Sequence, residues 1–172
     1  MTKINRRILI ILCLFVCLCS CEKKKKPIYF DTTYTEELES CDIIKIPYEE
    51  YGGVKYIKVK LYGLNLDMIV DSGSSLTLIS KAEFNYLLQK GYLTENNIIG
   101  THTAMIADGT TVENTRIILD EIVIGENLSC KNIEASVSEN VSAPLLLGNE
   151  VLDRVASYTI DNVNKIIEFK LK

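Results

Sequence analysis

The sequence of 172 residues predicts a mainly β domain, closed or nearly closed, with one or two small helices. Apolar and polar residues alternate repeatedly over residues 43–172, and this period of two is typical of half-buried strands. Glycine-containing turns separate the alternating segments, and a single stretch has the apolar spacing of a helix. The composition is mixed, with few prolines and both signs of charge, so one globular domain with appendages is expected.

The first alternating segments predict a β-hairpin. Apolar residues alternate with lysines over residues 55–61, and Gly63 then turns the chain. The alternation resumes over residues 64–70 and stops at Asp71. A single acidic residue therefore stands at the end of a predicted half-buried strand, and its position requires an explanation.

One segment after this hairpin is a convincing helix. Ser80 and Glu83 have the spacing of a capping box, and Gly91 is a natural helix terminator. The predicted apolar face consists of Phe84, Leu87 and Leu88. Strand patterns return from Thr101 onward, so the helix interrupts a chain that is otherwise predicted to form strands.

The second half of the chain predicts more strands. Asp108 and Gly109 lie between β-prone segments, which is a strong hairpin signal. A short helix is expected in GNEVLDRV, between the later strand candidates. These strand candidates are RIILDEIVIG, IEASV, ASYTID and KIIEFKL. The folded domain is therefore predicted to occupy residues 43–172.

The N-terminus has the layout of a secretory signal. Residues 1–7 are basic, and residues 8–18 are apolar but too few to span a bilayer comfortably. The following LCSC resembles the lipobox of bacterial lipoproteins, in which residues 1–20 are removed and Cys21 receives lipid chains. The resemblance implies a protein of the bacterial cell envelope that is held to the membrane by its lipid anchor.

Residues 21–42 form the predicted lipidated cysteine and tether, which is rich in Lys, Thr, Glu and Ser. Glu22 differs from the aspartate that retains lipoproteins in the inner membrane, so the outer membrane is favoured if the cell has two. The alternatives for residues 1–20 are an ordinary cleaved signal and an uncleaved anchor.

The net charge and the cysteine content limit the partners and the disulfides that the protein can have. Residues 1–20 contain three basic residues and no acidic one, so the formal net charge changes from −4 to −7 when they are removed. This negative charge argues against a general nucleic-acid partner. Apart from Cys21, only Cys41 and Cys130 remain, and they either form one disulfide or stay unpaired.

The stretch LDMIVDSGSSLTLIS places Asp71 between apolar segments. Burying an ionised carboxylate is costly unless it is paired or hydrogen-bonded, so its position favours a functional role. Ser72 can hydrogen-bond locally, and Gly73 allows the backbone to approach the carboxylate. His102 is the only histidine, and neither a metal-ligand cluster nor a phosphate-binding glycine loop is present in the sequence. No metal or cofactor is therefore predicted.

The segment MIVDSGSSLTLIS resembles the active-site segment of retropepsin-like aspartic proteases. In that family an apolar strand runs into Asp-Thr/Ser-Gly-Ala/Ser. The resemblance gives Asp71 the catalytic role and makes Ser72, Gly73 and Ser74 the supporting loop. Ser72 stands where threonine is commoner, so the hydroxyl is kept and a methyl group is lost.

Two further segments carry the resemblance. PLLLGNEVLDRVASYTID is similar to the apolar-apolar-Gly segment, with its short helix, that the family packs beside the catalytic loop. ADGTTV falls where the family carries its flap, a hairpin that covers the cleft. The supporting positions are Leu146, Leu147 and Gly148, and the flap positions are Ala107, Asp108 and Gly109.

The resemblance implies a single-lobe acid-protease barrel that works as a homodimer, because one chain supplies only Asp71 and the chemistry needs two carboxylates around one water. The implied activity is aspartic endopeptidase cleavage of an extended peptide or protein, without a cofactor. The main alternative keeps the fold but not catalysis, as a domain that binds a peptide or an envelope protein. A third possibility is a lipid-anchored structural module.

Overall fold

A computed structural model describes the backbone of residues 28–30 and the whole of residues 43–106 and 108–172. The predicted signal, Cys21, Cys41, Ala107 and most of the predicted tether lie outside these ranges. Within the described ranges, no helix combines the length and the apolar character needed to cross a bilayer.

The described chain is mainly β, as predicted. Its strands are β1 (Ile28–Phe30), β2 (Ile43–Pro47), β3 (Glu49–Tyr51), β4 (Val54–Leu61), β5 (Leu64–Val70), β6 (Thr77–Ser80), β7 (Ile98–Met105), β8 (Thr111–Ile124), β9 (Leu128–Ser138), β10 (Leu146–Leu147), β11 (Ser157–Asp161) and β12 (Ile166–Lys170). Its helices are α1 (Lys81–Gln89), α2 (Asn149–Leu152) and a 3-10 helix (Glu95–Asn97).

Six strands pair in a closed ring, in the order β4, β5, β10, β6, β9 and β8, with β8 returning to β4. Strands β1, β3 and β7 extend this sheet by pairing with β9, β4 and β8, respectively. A separate sheet of three strands has the order β11-β12-β2. The ring agrees with the prediction of a closed or nearly closed β domain, because each of its strands has a neighbour on both sides.

The core lies inside this ring and follows from the alternation in the sequence. Ile57, Val59 and Leu61 on β4 are each at most 1% exposed, whereas the lysines between them face solvent. Residues of β8 continue the same core, with Ile117 and Leu119 fully buried. Burying side chains of this size stabilises the fold by roughly 1.5–3 kcal/mol each, before the entropic cost of ordering the chain.

The predicted helix is confirmed as α1. The Ser80 hydroxyl accepts a hydrogen bond from the Ala82 N–H (3.0 Å) and is itself bonded to the Glu83 carboxylate. At the other end Gly91 has φ +70°, and its N–H donates to the Leu88 carbonyl at 3.0 Å. Glycine adopts this left-handed conformation without a steric cost, so the helix ends where the sequence predicted.

Three strands differ from the pattern in the sequence. β7 begins at Ile98, three residues before the expected start at Thr101. β8 is continuous over 14 residues, so the segments expected on either side of residue 115 form one strand. β1 lies in the predicted tether and pairs in parallel with the start of β9. A three-residue strand has no periodicity to detect, and its pairing depends on a partner 100 positions away.

Cys130 is a free thiol in the middle of this packing. Its side chain is 1% exposed, and burial raises the pKa of the thiol to about 11. The thiolate is the reactive form, so both the raised pKa and the burial protect Cys130 from electrophiles.

A labelling experiment tests this protection. In a Cys41→Ser variant of residues 22–172, Cys130 is the only cysteine, and we expect alkylation at neutral pH to be slow in the folded protein and fast in denaturant. Mass spectrometry of the alkylated protein over time measures both rates. Rapid labelling of the native protein would contradict the buried position of Cys130.

Candidate active site

Strand β10 inserts between β5 and β6 and so holds both ends of the Asp71 loop. It runs parallel to β5, with Leu147 opposite Val70, and antiparallel to β6, with Leu146 opposite Leu78. The loop of residues 71–76 begins where β5 ends and finishes where β6 begins. The short strand therefore fixes the position at which the chain leaves β5, and with it the position of Asp71.

The backbone of Asp71 is bonded on two sides. Its N–H donates to the Leu147 carbonyl at 3.1 Å, which continues the pairing of β5 with β10 by one residue. Its carbonyl accepts from the Ser74 N–H at 3.2 Å and closes a turn. The Ser74 hydroxyl donates to the Leu76 carbonyl at 2.7 Å, which ties down the rest of the loop. The predicted support by Leu147 and Ser74 thus has a direct geometric basis.

The Asp71 carboxylate is held by the backbone of Gly73. The Gly73 N–H donates to Oδ1 at 2.9 Å, which fixes the orientation of the carboxylate. A β-carbon added to Gly73 would lie 3.1 Å from the same oxygen, a crowded contact. Glycine at this position therefore allows the amide to approach the acid closely. Asp71 is half-buried, and Ser72 and Gly73 are exposed.

Gly148 packs closely against the backbone of the Asp71 loop. A β-carbon at this position would lie 2.3 Å from the Leu76 carbonyl oxygen and 2.9 Å from the Ser74 carbonyl oxygen. Both are backbone atoms, so neither can move aside without moving the loop. The requirement for glycine arises from this close contact and not from the backbone conformation, because Gly148 has φ −93°.

The first residues of α2 hold three carbonyl groups of the Asp71 loop. The N–H groups of Asn149 and Glu150 donate to the carbonyls of Ser74 (2.8 Å) and Ser75 (3.0 Å). The Asn149 side chain also donates, through Nδ2, to the Ser72 carbonyl at 2.9 Å. Asn149 is absent from the site residues predicted from the sequence, because its partner lies 77 positions away and no local pattern links the two.

Arg154 connects α2 to strand β9 by hydrogen bonds and an ion pair. Its guanidinium donates to the carbonyls of Lys131 and of Asn132, the latter at 2.9 Å, at the outer side of β9. It also forms an ion pair with Glu150 and donates to the Glu150 carbonyl at 3.1 Å. Arg154 lies two residues after α2 and bonds both Glu150 at the start of α2 and the backbone of Lys131 and Asn132, so it links the helix that holds the Asp71 loop to β9.

The predicted flap is a hairpin formed by β7 and the first half of β8. The Ile106 N–H donates to the Thr110 carbonyl at 2.9 Å, and Gly109 has φ +85°. Oδ1 of Asp108 accepts from the Thr110 N–H (2.8 Å) and hydroxyl (2.7 Å), and these bonds lower the pKa of Asp108. β7 pairs with β8, so the hairpin joins the barrel through β8 and not through the Asp71 loop.

The flap tip carries exposed apolar side chains. Met105 is 75% exposed and Ile106 is 45% exposed, next to the turn that Asp108 and Thr110 stabilise. Neither apolar residue was among the predicted site residues, although both immediately precede the segment ADGTTV in which the flap was predicted. Two exposed apolar side chains at a hairpin tip provide a contact surface for an apolar ligand group.

The carboxylate of Asp71 has no metal or salt-bridge partner within the described part of the chain. None of the ion pairs there includes it, and no group of three His, Cys, Asp or Glu side chains could hold a metal ion.

The barrel, the inserted strand and the braced Asp-Ser-Gly loop together define a single lobe of the acid-protease type. The sequence matches the family described as "gag-polyprotein putative aspartyl protease" over residues 57–154, which is more than half of the chain. The chain therefore belongs to this family of retropepsin-like proteins.

A solved structure supports the same fold. The protein is similar to the crystal structure of a retropepsin-like aspartic protease from Rickettsia conorii, with a TM-score of 0.56 and 22% sequence identity. The match covers 77% of this chain and 94% of the other. Among curated proteins none matches the sequence. The predicted retropepsin-like fold is confirmed.

Replacement of Gly148 tests the close contact beneath the loop. We expect Gly148→Ala to lower the free energy of unfolding by about 1–3 kcal/mol or more, because the added methyl group overlaps backbone atoms that cannot rotate away. Ser75→Ala is the matched control, since that side chain is exposed on the same loop. Urea unfolding of residues 22–172 measures the difference, and equal stability of the two variants would contradict the packing.

Proposed function

We propose that this protein is a membrane-tethered aspartic endopeptidase that acts as a homodimer. The observation that carries the proposal is the geometry of Asp71, whose carboxylate accepts the Gly73 N–H at 2.9 Å in a loop braced by Leu147 and Gly148. Membership of an aspartyl protease family supports the same conclusion. A loop held by so many backbone contacts is suited to keep an acid in a reactive position.

Two copies of Asp71 are needed. The described chain has one Asp-Ser-Gly loop, and aspartic proteolysis uses two carboxylates around one water. Ser72 and Gly73 are exposed, so the loop is accessible to a second copy. A two-fold axis between the loops would bring each Asp71 next to its partner. The proposed active site is therefore complete only in the dimer.

The two carboxylates share one proton and therefore take different roles in the reaction. Like charges at close range cannot both ionise at mildly acidic pH, so one Asp71 remains ionised and the other is protonated. The ionised carboxylate takes a proton from the bound water, which attacks the carbonyl carbon of the scissile peptide. The protonated carboxylate then supplies a proton as the leaving nitrogen departs. Each Gly73 N–H donates to the carboxylate of its own Asp71 and holds its orientation.

The flap provides the other wall of the proposed cleft. Met105 and Ile106 would contact apolar side chains of an extended substrate, and closure of the hairpin would exclude bulk water. The backbone of a hairpin offers hydrogen bonds to any peptide in an extended conformation. The proposed substrate is therefore a stretch of polypeptide in an extended conformation.

The tether would aid dimer formation. Lipidation of Cys21 would confine the protein to a membrane surface of the bacterial cell envelope and raise its local concentration. A dimer that is weak in solution would then be populated at the membrane.

Removal of the acid tests catalysis. Asp71→Asn should lower kcat on an extended peptide pool at mildly acidic pH by at least about a hundredfold, because an amide can neither accept nor hold the catalytic proton. Asp67→Asn is the matched control, since Asp67 lies on β5, the strand that leads into Asp71, is exposed and pairs with Lys58 at 2.6 Å. Mass spectrometry of the products, with unfolding curves of both variants, separates catalysis from stability.

Two results would contradict the enzymatic proposal. One is equal cleavage by wild type and Asp71→Asn. The other is no cleavage by wild type together with peptide binding that survives Asp71→Asn, which would favour the binding-domain alternative.

Mixing of subunits tests the shared site. If each active dimer needs two Asp71 residues, wild-type protein that exchanges subunits with an equal amount of Asp71→Asn, at a concentration at which nearly all subunits are in dimers, should retain about half of its activity, because half of its subunits enter mixed dimers. Asp67→Asn mixed in the same way should not lower the activity that the wild-type subunits contribute to the mixture. Activity that is insensitive to the inactive partner, after exchange has been verified by labelled subunits, would contradict the dimeric site.

A further inference from the structure

The Asp71 side chain shares one face of the barrel wall with a row of side chains from neighbouring strands. Asp71 continues β5 by one residue, so it lies on the same face as Ile69, two positions earlier. Ile69 is opposite Leu146 on β10, and Leu146 is opposite Leu78 on β6. The row continues on β9 with Ser136, which is opposite Leu78. We call the face that carries these five side chains the outer face.

The outer face is apolar near Asp71. Ile69, Leu146 and Leu78 are half-buried, and none of them packs with the core inside the ring. Half-buried apolar side chains beside a carboxylate offer a surface for apolar groups of a ligand. The part of the outer face next to Asp71 is therefore suited to line the proposed cleft.

The row becomes polar at Ser136. This residue is 4% exposed, and its hydroxyl has no hydrogen-bond partner within the described part of the chain. The next residue in the row, Arg116 on β8, is opposite Ser136 but forms an ion pair with Glu134. A buried hydroxyl without a partner costs free energy, and most buried polar groups in proteins are paired. The Ser136 hydroxyl is therefore available to a group from outside the described chain.

The flap continues the outer face beyond Arg116. Asn114 lies two positions before Arg116 on β8, and His102 on β7 is opposite Asn114. Asn114 is 7% exposed and His102 is half-buried, whereas Thr103 and Glu113, on the other side of the hairpin, are exposed. The side of the flap that carries His102 is therefore the covered side, and it adjoins the outer face.

Unpartnered polar atoms are concentrated in this region. Of the three buried polar side-chain atoms that lack a partner within the described residues, Oγ of Ser136 is on the outer face and Nδ1 of His102 is on the covered side of the flap. The third is Oγ1 of Thr77, which is fully buried and alternates with Leu78, so it faces the core. Among the described strands β7 pairs only with β8, so the hairpin is free to move relative to the outer face and admit a ligand.

We infer that Ser136 and His102 form a polar subsite of the cleft, which takes an uncharged hydrogen-bonding side chain of the substrate (Asn, Gln, Ser or Thr). This inference rests on the peptide-binding cleft of the proposed function. Arg116 and Glu134, which border the subsite, are paired with each other at 2.5 Å, so a charged side chain would enter without a free counter-ion. An uncharged donor and acceptor bonds the Ser136 hydroxyl and the His102 nitrogen without that cost.

The register of the strands limits where the selected side chain lies in the substrate. Ser136 is three strand spacings from Ile69 in the row, or about 14 Å in a flat sheet, and Asp71 is about 7 Å from Ile69 along β5. The separation of Ser136 from Asp71 is therefore at most about 16 Å, because curling of the sheet shortens it. An extended peptide covers this distance with about five residues. The selected side chain lies within that distance of the scissile bond.

Cleavage of a peptide library by the full-length protein at mildly acidic pH tests the subsite. At one position within about five residues of the cleaved bond, we expect Asn, Gln, Ser and Thr to be favoured over Leu and Val by about threefold to tenfold. Ser136→Ala should abolish this preference, and His102→Phe should weaken it. Thr77→Val is the matched control, since it removes a buried unpartnered hydroxyl on the core side of the adjacent strand and should leave the preference unchanged. Mass spectrometry of the products measures each profile.

Urea unfolding distinguishes a subsite from a structural role of Ser136. We expect Ser136→Ala to be at least as resistant to urea as the wild type, because the hydroxyl has no partner in the described fold. A lower urea midpoint for Ser136→Ala would show that the fold itself uses the hydroxyl and would overturn the inference.

Binding separates this inference from the enzymatic proposal. Asp71→Asn, incubated with the same library, should retain peptides with the same polar preference, and adding Ser136→Ala should remove it. Cleavage by the wild type with an apolar or charged preference at every position, or a profile that Ser136→Ala does not change, would overturn this inference alone. Selective binding that depends on Ser136, without cleavage by the wild type, would contradict the enzymatic proposal alone. Neither cleavage nor binding would contradict both.

Discussion

The insertion of β10 between β5 and β6 is the constraint on which the site depends. Leu146 and Leu147 pair with β5, and Leu146 also pairs with β6. The next residue, Gly148, packs against the Asp71 loop at a distance that no side chain would tolerate. The Ser74 and Ser75 carbonyls of the loop accept hydrogen bonds from the first N–H groups of α2, and the Asp71 N–H donates to the Leu147 carbonyl. A polar loop that carries an acid is thereby fixed to a buried strand without leaving these backbone groups unpaired.

This arrangement explains why a carboxylate can stand at the end of an apolar strand. Asp71 is half-buried and accepts a hydrogen bond from Gly73, so part of the cost of removing its charge from water is offset by a charge-assisted bond. In the proposed dimer the second carboxylate would share a proton with the first, which reduces the charge to be buried. The rigidity supplied by Asn149 and Arg154 then keeps the acid in one position, as catalysis by positioning requires.

Local chemistry in the sequence predicted several of these elements. The alternation around Gly63 predicted the first hairpin, Ser80 and Gly91 predicted both ends of α1, and Asp108 with Gly109 predicted the flap turn. In each case the determining interactions lie within a few residues of each other. The resemblance to a family placed the segment from Leu146 to Gly148 beside the Asp71 loop, which periodicity alone could not have done, and the structure shows that its first two residues form β10 between β5 and β6.

Contacts between residues that are far apart in the chain could not be predicted from the sequence. The bond from Asn149 to Ser72, the close approach of Gly148 to Leu76 and the bonds of Arg154 to β9 each join residues that are more than twenty positions apart. The sequence did not predict β1, because a strand of three residues has no detectable alternation. It predicted β8 as two segments, because the middle of this strand is polar where the flap leaves the barrel.

The central claim is that two Asp71 carboxylates meet across a two-fold axis. A crystal structure of residues 22–172 bound to a peptide analogue with a non-cleavable bond would test it most directly. We expect a symmetric dimer in which the nearest carboxylate oxygens of the two Asp71 residues lie about 3 Å apart, with the analogue between them and the flaps. A peptide bound to a lone subunit, or to a dimer whose Asp71 residues lie on separate surfaces, would contradict it.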